Sequence, residues 1–155
     1  MVPELEAGLA RFVTLVAARH GDDLVSVVLF GSQATGRARS ESDVDVLLVV
    51  RGLPRRRIER RAAFRAPKDE AGEPFASAAS LILLTPEEAV TVRPFYLGIL
   101  EGHRMVLDRD RFFRGVLDRL EARLAELGSR RLVDEHGNPY WDLKPDYKPG
   151  ENIVL

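Results

Sequence analysis

Two carboxylates, Asp43 and Asp45, stand two residues apart at the head of an apolar run over residues 46–50. On an extended chain such residues point to the same face, roughly 6–7 Å apart along the strand. Carboxylates placed that way are a poor way to build a core and a good way to hold a divalent cation. Upstream, a second apolar run, residues 24–30, ends abruptly in Gly31-Ser32. A glycine lets the backbone approach a ligand closely. If a helix starts at Ser32, its free N–H groups face the end of that run and can receive a phosphate. The ordinary readings are a surface strand cap for the acids and a plain helix cap for Gly-Ser. The second is compatible with phosphate binding, because the same N–H groups serve both.

The elements that must position these residues follow from the pattern. Residues 3–20 read as a helix, with Pro3 in the first turn, Glu4 and Glu6 at the positive end, and Arg19 and His20 at the negative end. Leu5, Leu9, Phe12, Val13, Val16 and Ala17 make its apolar stripe. Residues 24–30 form a β-branched, central strand, a short helix from Ser32 ends near Gly36, and Ser40, Glu41 and Ser42 form a polar loop. Residues 43–50 make the second strand, 55–64 a basic helix, and 66–74 a breaker-rich, mobile loop. A third strand, 79–84, runs into Thr85-Pro86-Glu87-Glu88, which has the hydroxyl cap, early proline and acidic first turn of a helix start. A helix from Pro94 through Glu101, ended by Gly102, a fourth strand at 103–107 and an amphipathic helix over 110–127 follow. Leu132-Val133 and Tyr140-Trp141, around His136-Gly137-Asn138, suggest a hairpin, and an extended tail closes the chain.

The 155 residues suit one core-forming domain, 45% hydrophobic and 30% charged, with no internal repeat. A net charge of -1 gives no basic footprint for broad nucleic-acid binding. The absence of cysteine excludes disulfides, cysteine zinc sites and thiol nucleophiles. No apolar run reaches the roughly 20 residues of a membrane span, and no signal-peptide pattern opens the chain, so a cytoplasmic location is expected. His20, His103 and His136 are scattered, which argues against a histidine metal site.

Gly31-Ser32, ten residues, then Asp43-Val44-Asp45, set between two apolar strands, resembles the minimal nucleotidyltransferases of the DNA polymerase β superfamily, whose signature is G-S-x10-D-x-D. The resemblance runs on through Thr85-Pro86-Glu87-Glu88 and the segment 101–108, and covers roughly residues 1–127. It implies an α/β (α+β) polymerase β-like fold, a small mixed central sheet flanked by helices. The nucleotidyltransferase domain would occupy residues 1–128, with a hairpin and tail over 129–155 packed on it or on a partner. It implies transfer of a nucleoside monophosphate, AMP from ATP, to a protein hydroxyl, with pyrophosphate leaving. Gly31 and Ser32 would hold the triphosphate; Arg37 and Arg39, by their own chemistry, read equally as contacts to phosphate oxygens and as solvated loop charges. Asp43 and Asp45 would bind one or two Mg²⁺ ions, which neutralise charge on the transferring phosphoryl group. Small members of the family often sit beside a helical HEPN-type partner as its antitoxin. A small-molecule acceptor such as an aminoglycoside fits less well, for want of a second domain.

One position departs from the family pattern. Alignment through Thr85-Pro86-Glu87-Glu88 puts Ser80 where a third carboxylate belongs, and serine is a poor magnesium ligand. Asp69, Glu70 and Glu73 are the nearest acids that can swing in from the 66–74 loop. The alternative function is therefore a catalytically degenerate module that binds nucleotide and docks a partner. The arginines of residues 55–61 read as a solvated helix face, with a partner-facing role as the second reading.

Overall fold

The computed structural model describes residues 1–39 and 41–155. Ser40, assigned above to the polar loop, lies outside the described residues. The chain divides into two compact units, Met1–Phe113 and Arg114–Leu155.

In the first unit, helix α1 (Pro3–His20) buries Leu5, Leu9, Phe12 and Val16 along one stripe, as the spacing predicts. Strand β1 (Leu24–Phe30) and strand β2 (Val44–Val50) pair antiparallel, and every β2 residue except Asp45 is buried. Strand β3 (Ala79–Leu84) lies parallel to β2, and strand β4 (His103–Asp108) antiparallel to β1. The sheet order is β3-β2-β1-β4, so the two inner strands carry the Gly-Ser and Asp-x-Asp segments. Val27 and Leu29 of β1 and Val44, Val46, Leu48 and Val50 of β2 belong to one buried cluster with the α1 stripe. Ser26, fully buried in β1, is satisfied by donating to Asp108 Oδ1 at 2.6 Å.

The connection between the parallel strands overturns one expectation. Helix α3 (Arg57–Ala71) runs straight through Pro67, where the composition suggested a mobile loop over residues 66–74. The proline removes one helical hydrogen bond. Phe64, Pro67 and Ala71 nevertheless fall on one face and are all buried, and their packing holds the helix together. Phe64 stacks on His20 at 5.0 Å, and Arg11 Nε donates to the Ala71 carbonyl at 2.8 Å. A single turn, α4 (Phe75–Ala78), follows. The sequence did not show it.

Gly8 of α1 faces α4. A Cβ at Gly8 would clash with the Cβ and Cγ of Phe75, itself fully buried and packed on Phe12 with centroids 5.4 Å apart. Gly8→Ala is therefore expected to destabilise by about 1–3 kcal/mol through overpacking, outweighing the ~1 kcal/mol helix-propensity gain. Urea denaturation checks this; an unchanged or higher midpoint would show that Phe75 gives way freely.

Past β3, helix α5 (Pro86–Ala89) carries the anticipated cap: Thr85 Oγ1 accepts from the Glu88 amide and Glu88 accepts from the Thr85 amide. Arg60, in the run read as a solvated face, is instead buried. It donates to both Glu88 oxygens, at 2.7 and 2.9 Å, and to the Leu83 carbonyl at 3.1 Å. This pairing first, and the Thr85 amide after it, hold the Glu88 carboxyl down at about 2 against an ordinary 4.5. A depressed carboxyl adds stability above the unfolded value, and that stability is lost as pH falls through the folded one. After screening of the half-exposed carboxylate, about 1–2 kcal/mol should disappear between pH ~4.5 and ~2. Thermal melts across that range should show a steeper acid decline for the native chain than for Glu88→Gln. Parallel declines would show that the pair contributes nothing.

Helix α6 (Phe95–Glu101) precedes β4, and Phe30, Phe95, Tyr96 and Phe113 form a chain of ring contacts with centroids 5.0–5.9 Å apart. Helix α7 (Phe112–Leu127) begins two residues later than expected, because Asp110 and Arg111 adopt φ of 51° and 53° in the turn before it. In the second unit, β5 (Arg130–Val133) and β6 (Pro139–Asp142) form the predicted hairpin. Asp134 Oδ1 closes its turn by accepting from the His136 and Asn138 amides. The tail is tied back: Arg123 Nε donates to the Val154 carbonyl at 2.8 Å, and Lys144 pairs with Glu151. Among the described residues no helix is long and apolar enough to cross a membrane.

Candidate functional site

Four residues from four strands line up across the sheet: His103, Phe30, Asp45 and Ser80 are register partners in turn. At the end of β1 the chain leaves the sheet at Gly31, with φ 73° and ψ -157°, and enters the short helix α2 (Ser32–Thr35). Glycine is demanded there twice. The φ is one that L side chains rarely adopt, and an added Cβ would sit 2.5 Å from Asp45 Oδ2. The Ala34 and Thr35 amides donate to the Gly31 carbonyl at 3.1 and 3.2 Å, while the Ser32 and Gln33 amides have no partner among the described residues, so Asp45 lies against a glycine turn followed by two open donors.

Asp43 sits one residue before β2, which begins at Val44 and not at residue 43. The reason lies in β1: its pairing with β2 ends at Phe30 opposite Asp45, and no β1 residue remains to face Asp43. Asp43 is exposed and Asp45 half-buried. The loop before them is fixed by Gln33 Nε2 donating to the Ser42 carbonyl at 3.2 Å, and by the Arg39 amide donating to Ser42 Oγ at 2.8 Å.

Burial first, and the charge of Asp43 second, push the Asp45 carboxyl above its ordinary value. Neither aspartate has a cationic partner among the described residues. The fold thus places Asp45 where both burial and the neighbouring Asp43 raise the cost of its charge, with no cationic side chain beside it among the described residues. A half-buried carboxylate pressed against a Cβ-free turn fits a divalent ion, which would relieve both costs. Among the described residues no group of three or more acidic, histidine or cysteine side chains converges.

Ser80 is exposed on the edge strand, directly beside Asp45 in the parallel register. The acids that were to swing toward it are engaged elsewhere. Glu70 accepts from Arg19 at 2.7 Å, Glu73 from the Ser77 amide and hydroxyl at 3.2 and 2.8 Å, and Asp69 pairs with Arg65 at 3.6 Å. Asp69 and Glu70 belong to α3, so the mobile loop invoked for them does not exist. Arg37 is exposed just past α2, with its amide bonded to the Ser32 carbonyl. Sequence reasoning missed Arg60 and its buried pair with Glu88; within a run of like charges nothing marked it out.

The matching family model is the nucleotidyltransferase domain, over residues 9–100, more than half of the chain. The chain belongs to that family. A relative from Methanocaldococcus jannaschii is 36% identical to this nucleotidyltransferase over 115 residues, 73% of this chain and 78% of the relative. The name of that relative proposes protein adenylyltransferase activity. Among solved structures, a toxin-antitoxin crystallised with AMP-PNP is 14% identical, covering 82% of this chain and 94% of that one at a TM-score of 0.49. A proposed nucleotidyltransferase from Sulfolobus solfataricus is 16% identical, covering 72% and 92% at 0.42. The mixed four-strand sheet flanked by helices is the architecture the signature implied.

Proposed function

We propose that this nucleotidyltransferase moves AMP from ATP to a hydroxyl group on a protein. The observation that carries the reading is the contact of Asp45 with the Gly31 turn: a carboxylate without a cationic partner among the described residues, beside the Ser32 and Gln33 amides that can take a phosphate. Gly31 and Ser32 present backbone donors to the phosphates, and Arg37 lies within the same loop system. Asp43 and Asp45 would hold Mg²⁺, which would supply neutralisation of phosphate charge and a better pyrophosphate leaving group. The acceptor hydroxyl oxygen bonds to the α-phosphorus as the bond to pyrophosphate breaks, and its proton is lost to solvent. The kinship with a relative named for protein adenylylation supports AMP and a protein acceptor. A HEPN-type helical protein, the partner class of the family this sequence resembles, is the first acceptor to try, and a cytoplasmic setting suits ATP as donor.

A second reading has its own observation. With serine beside Asp45 and the three nearby acids engaged elsewhere, the same site suits a module that binds nucleotide and partner without turnover. Incubation of the chain with α-labelled ATP, Mg²⁺ and the candidate acceptor separates the two. Label on the acceptor that needs both metal and Asp43 supports transfer. Magnesium-dependent ATP binding without label supports the module.

A further inference from the structure

Beside the edge strand lies a groove of about 310 Å³ that the nucleotide site does not use. Five arginines line it: Arg55, Arg57, Arg60, Arg61 and Arg93. Its floor is apolar, formed by residues 81–84 of β3 and Phe95. Arg60 is neutralised by its two-pronged bond to Glu88, the acid of the groove. Arg55, Arg57 and Arg61 are exposed and have no hydrogen-bond or ion-pair partner among the described residues. Arg93 Nε is buried without a hydrogen-bond partner. A chain of net charge -1 thus concentrates uncompensated positive charge along one apolar cleft.

The cleft continues. A second groove, of about 730 Å³, shares Arg61, Leu81 and Leu83 and reaches Ser80, the neighbour of Asp45. The two together make a track from Arg55 to the edge of the candidate site. We propose that this track docks an extended acidic segment of a protein partner, carboxylates on the free arginines and apolar side chains on the β3 floor.

Two features favour a peptide over a polyphosphate chain. The floor is apolar, and Phe95 is already stacked on Phe30 and packed edge-on against Tyr96. Side chains hold the segment, not strand addition, because the Ala79 and Leu83 carbonyls already accept from Lys68 and Arg60. The proposal does not rest on the transfer reaction.

The test is fluorescence anisotropy with a labelled ten-residue peptide alternating glutamate and leucine, its glutamine counterpart, and a ten-nucleotide single-stranded RNA. The full chain is compared with the triple variant Arg55→Ser, Arg57→Ser, Arg61→Ser and with Asp43→Ala. The glutamate peptide should bind at least ~10-fold tighter than the glutamine peptide, and weaken with salt. The triple variant should lose at least ~10-fold while its melting temperature and magnesium-dependent ATP binding stay unchanged. Asp43→Ala should bind the peptide as the native chain does, so failure of the nucleotide site and failure of the track read out separately. Equal binding by the triple variant, equal binding of the glutamine peptide, or tighter binding of the RNA would overturn the proposal.

Discussion

Asp45→Ala should abolish nucleotidyl transfer, by about 10³-fold or more, while leaving the protein at least as stable as before. Both halves follow from the same geometry. The carboxylate is half-buried, beside a second acid and without a cation, so in the absence of metal its charge opposes folding. Removing it relieves that cost and opens a small space against Gly31. Its loss also removes one of two acids available for the metal, and neutralising the charge on a transferring phosphoryl group supplies much of the rate gain in such catalysis. Single-turnover transfer from α-labelled ATP, together with urea denaturation in EDTA, measures the two halves. A variant that loses activity only because it unfolds would show a lowered denaturation midpoint, and the assignment of Asp45 as a metal ligand would fall.

The second large effect is a gain. Ser80→Asp sets a carboxylate in register with Asp45, on a strand that already brings residue 80 to the site. If the native centre lacks only its third acid, transfer should rise by about 10²-fold, at the low end of what a positioned proton acceptor supplies. The same change should cost stability without metal, because like charges facing across strands destabilise by roughly 0.2–1 kcal/mol. Magnesium should restore it. The pairing of these signs is diagnostic: lower melting temperature in EDTA, higher in Mg²⁺, faster transfer. A variant with unchanged transfer and unchanged metal response would show that position 80 takes no part in the chemistry.

How much of this was legible beforehand differs from residue to residue. The strands that bear the site were readable because each is a short apolar run with acidic residues before it and a glycine within two residues of its end, and burial on both faces demands such a run. The register of Asp45 against Ser80 was implied only through a family pattern; no local feature of residues 79–84 encodes which β2 residue they face. The misreading of residues 66–74 has a definite source. Lysine, acids, glycine and prolines there resemble a loop, while the stripe of Phe64, Pro67 and Ala71 that stabilises the helix is visible only once α1 is known to lie against α3. Arg60 was illegible for a similar reason. Its guanidinium is buried because the Glu88 of a capping box, 28 residues on, folds back beside it.

The placement of the acids has a bearing on how such a protein changes over generations. Asp45 projects from an inner strand whose every other residue is buried, next to a glycine that nothing larger can replace. Position 80 is exposed on the rim of the sheet, where exchange of one small polar residue for another disturbs no packing. If Asp45 and Gly31 bind the nucleotide as proposed, that binding is tied to the integrity of the core, whereas position 80 is free to change at the sheet rim. On the proposed reading, a lineage built on this scaffold could exchange turnover for pure binding by a change at the sheet rim that costs under about 1 kcal/mol, without disturbing the core.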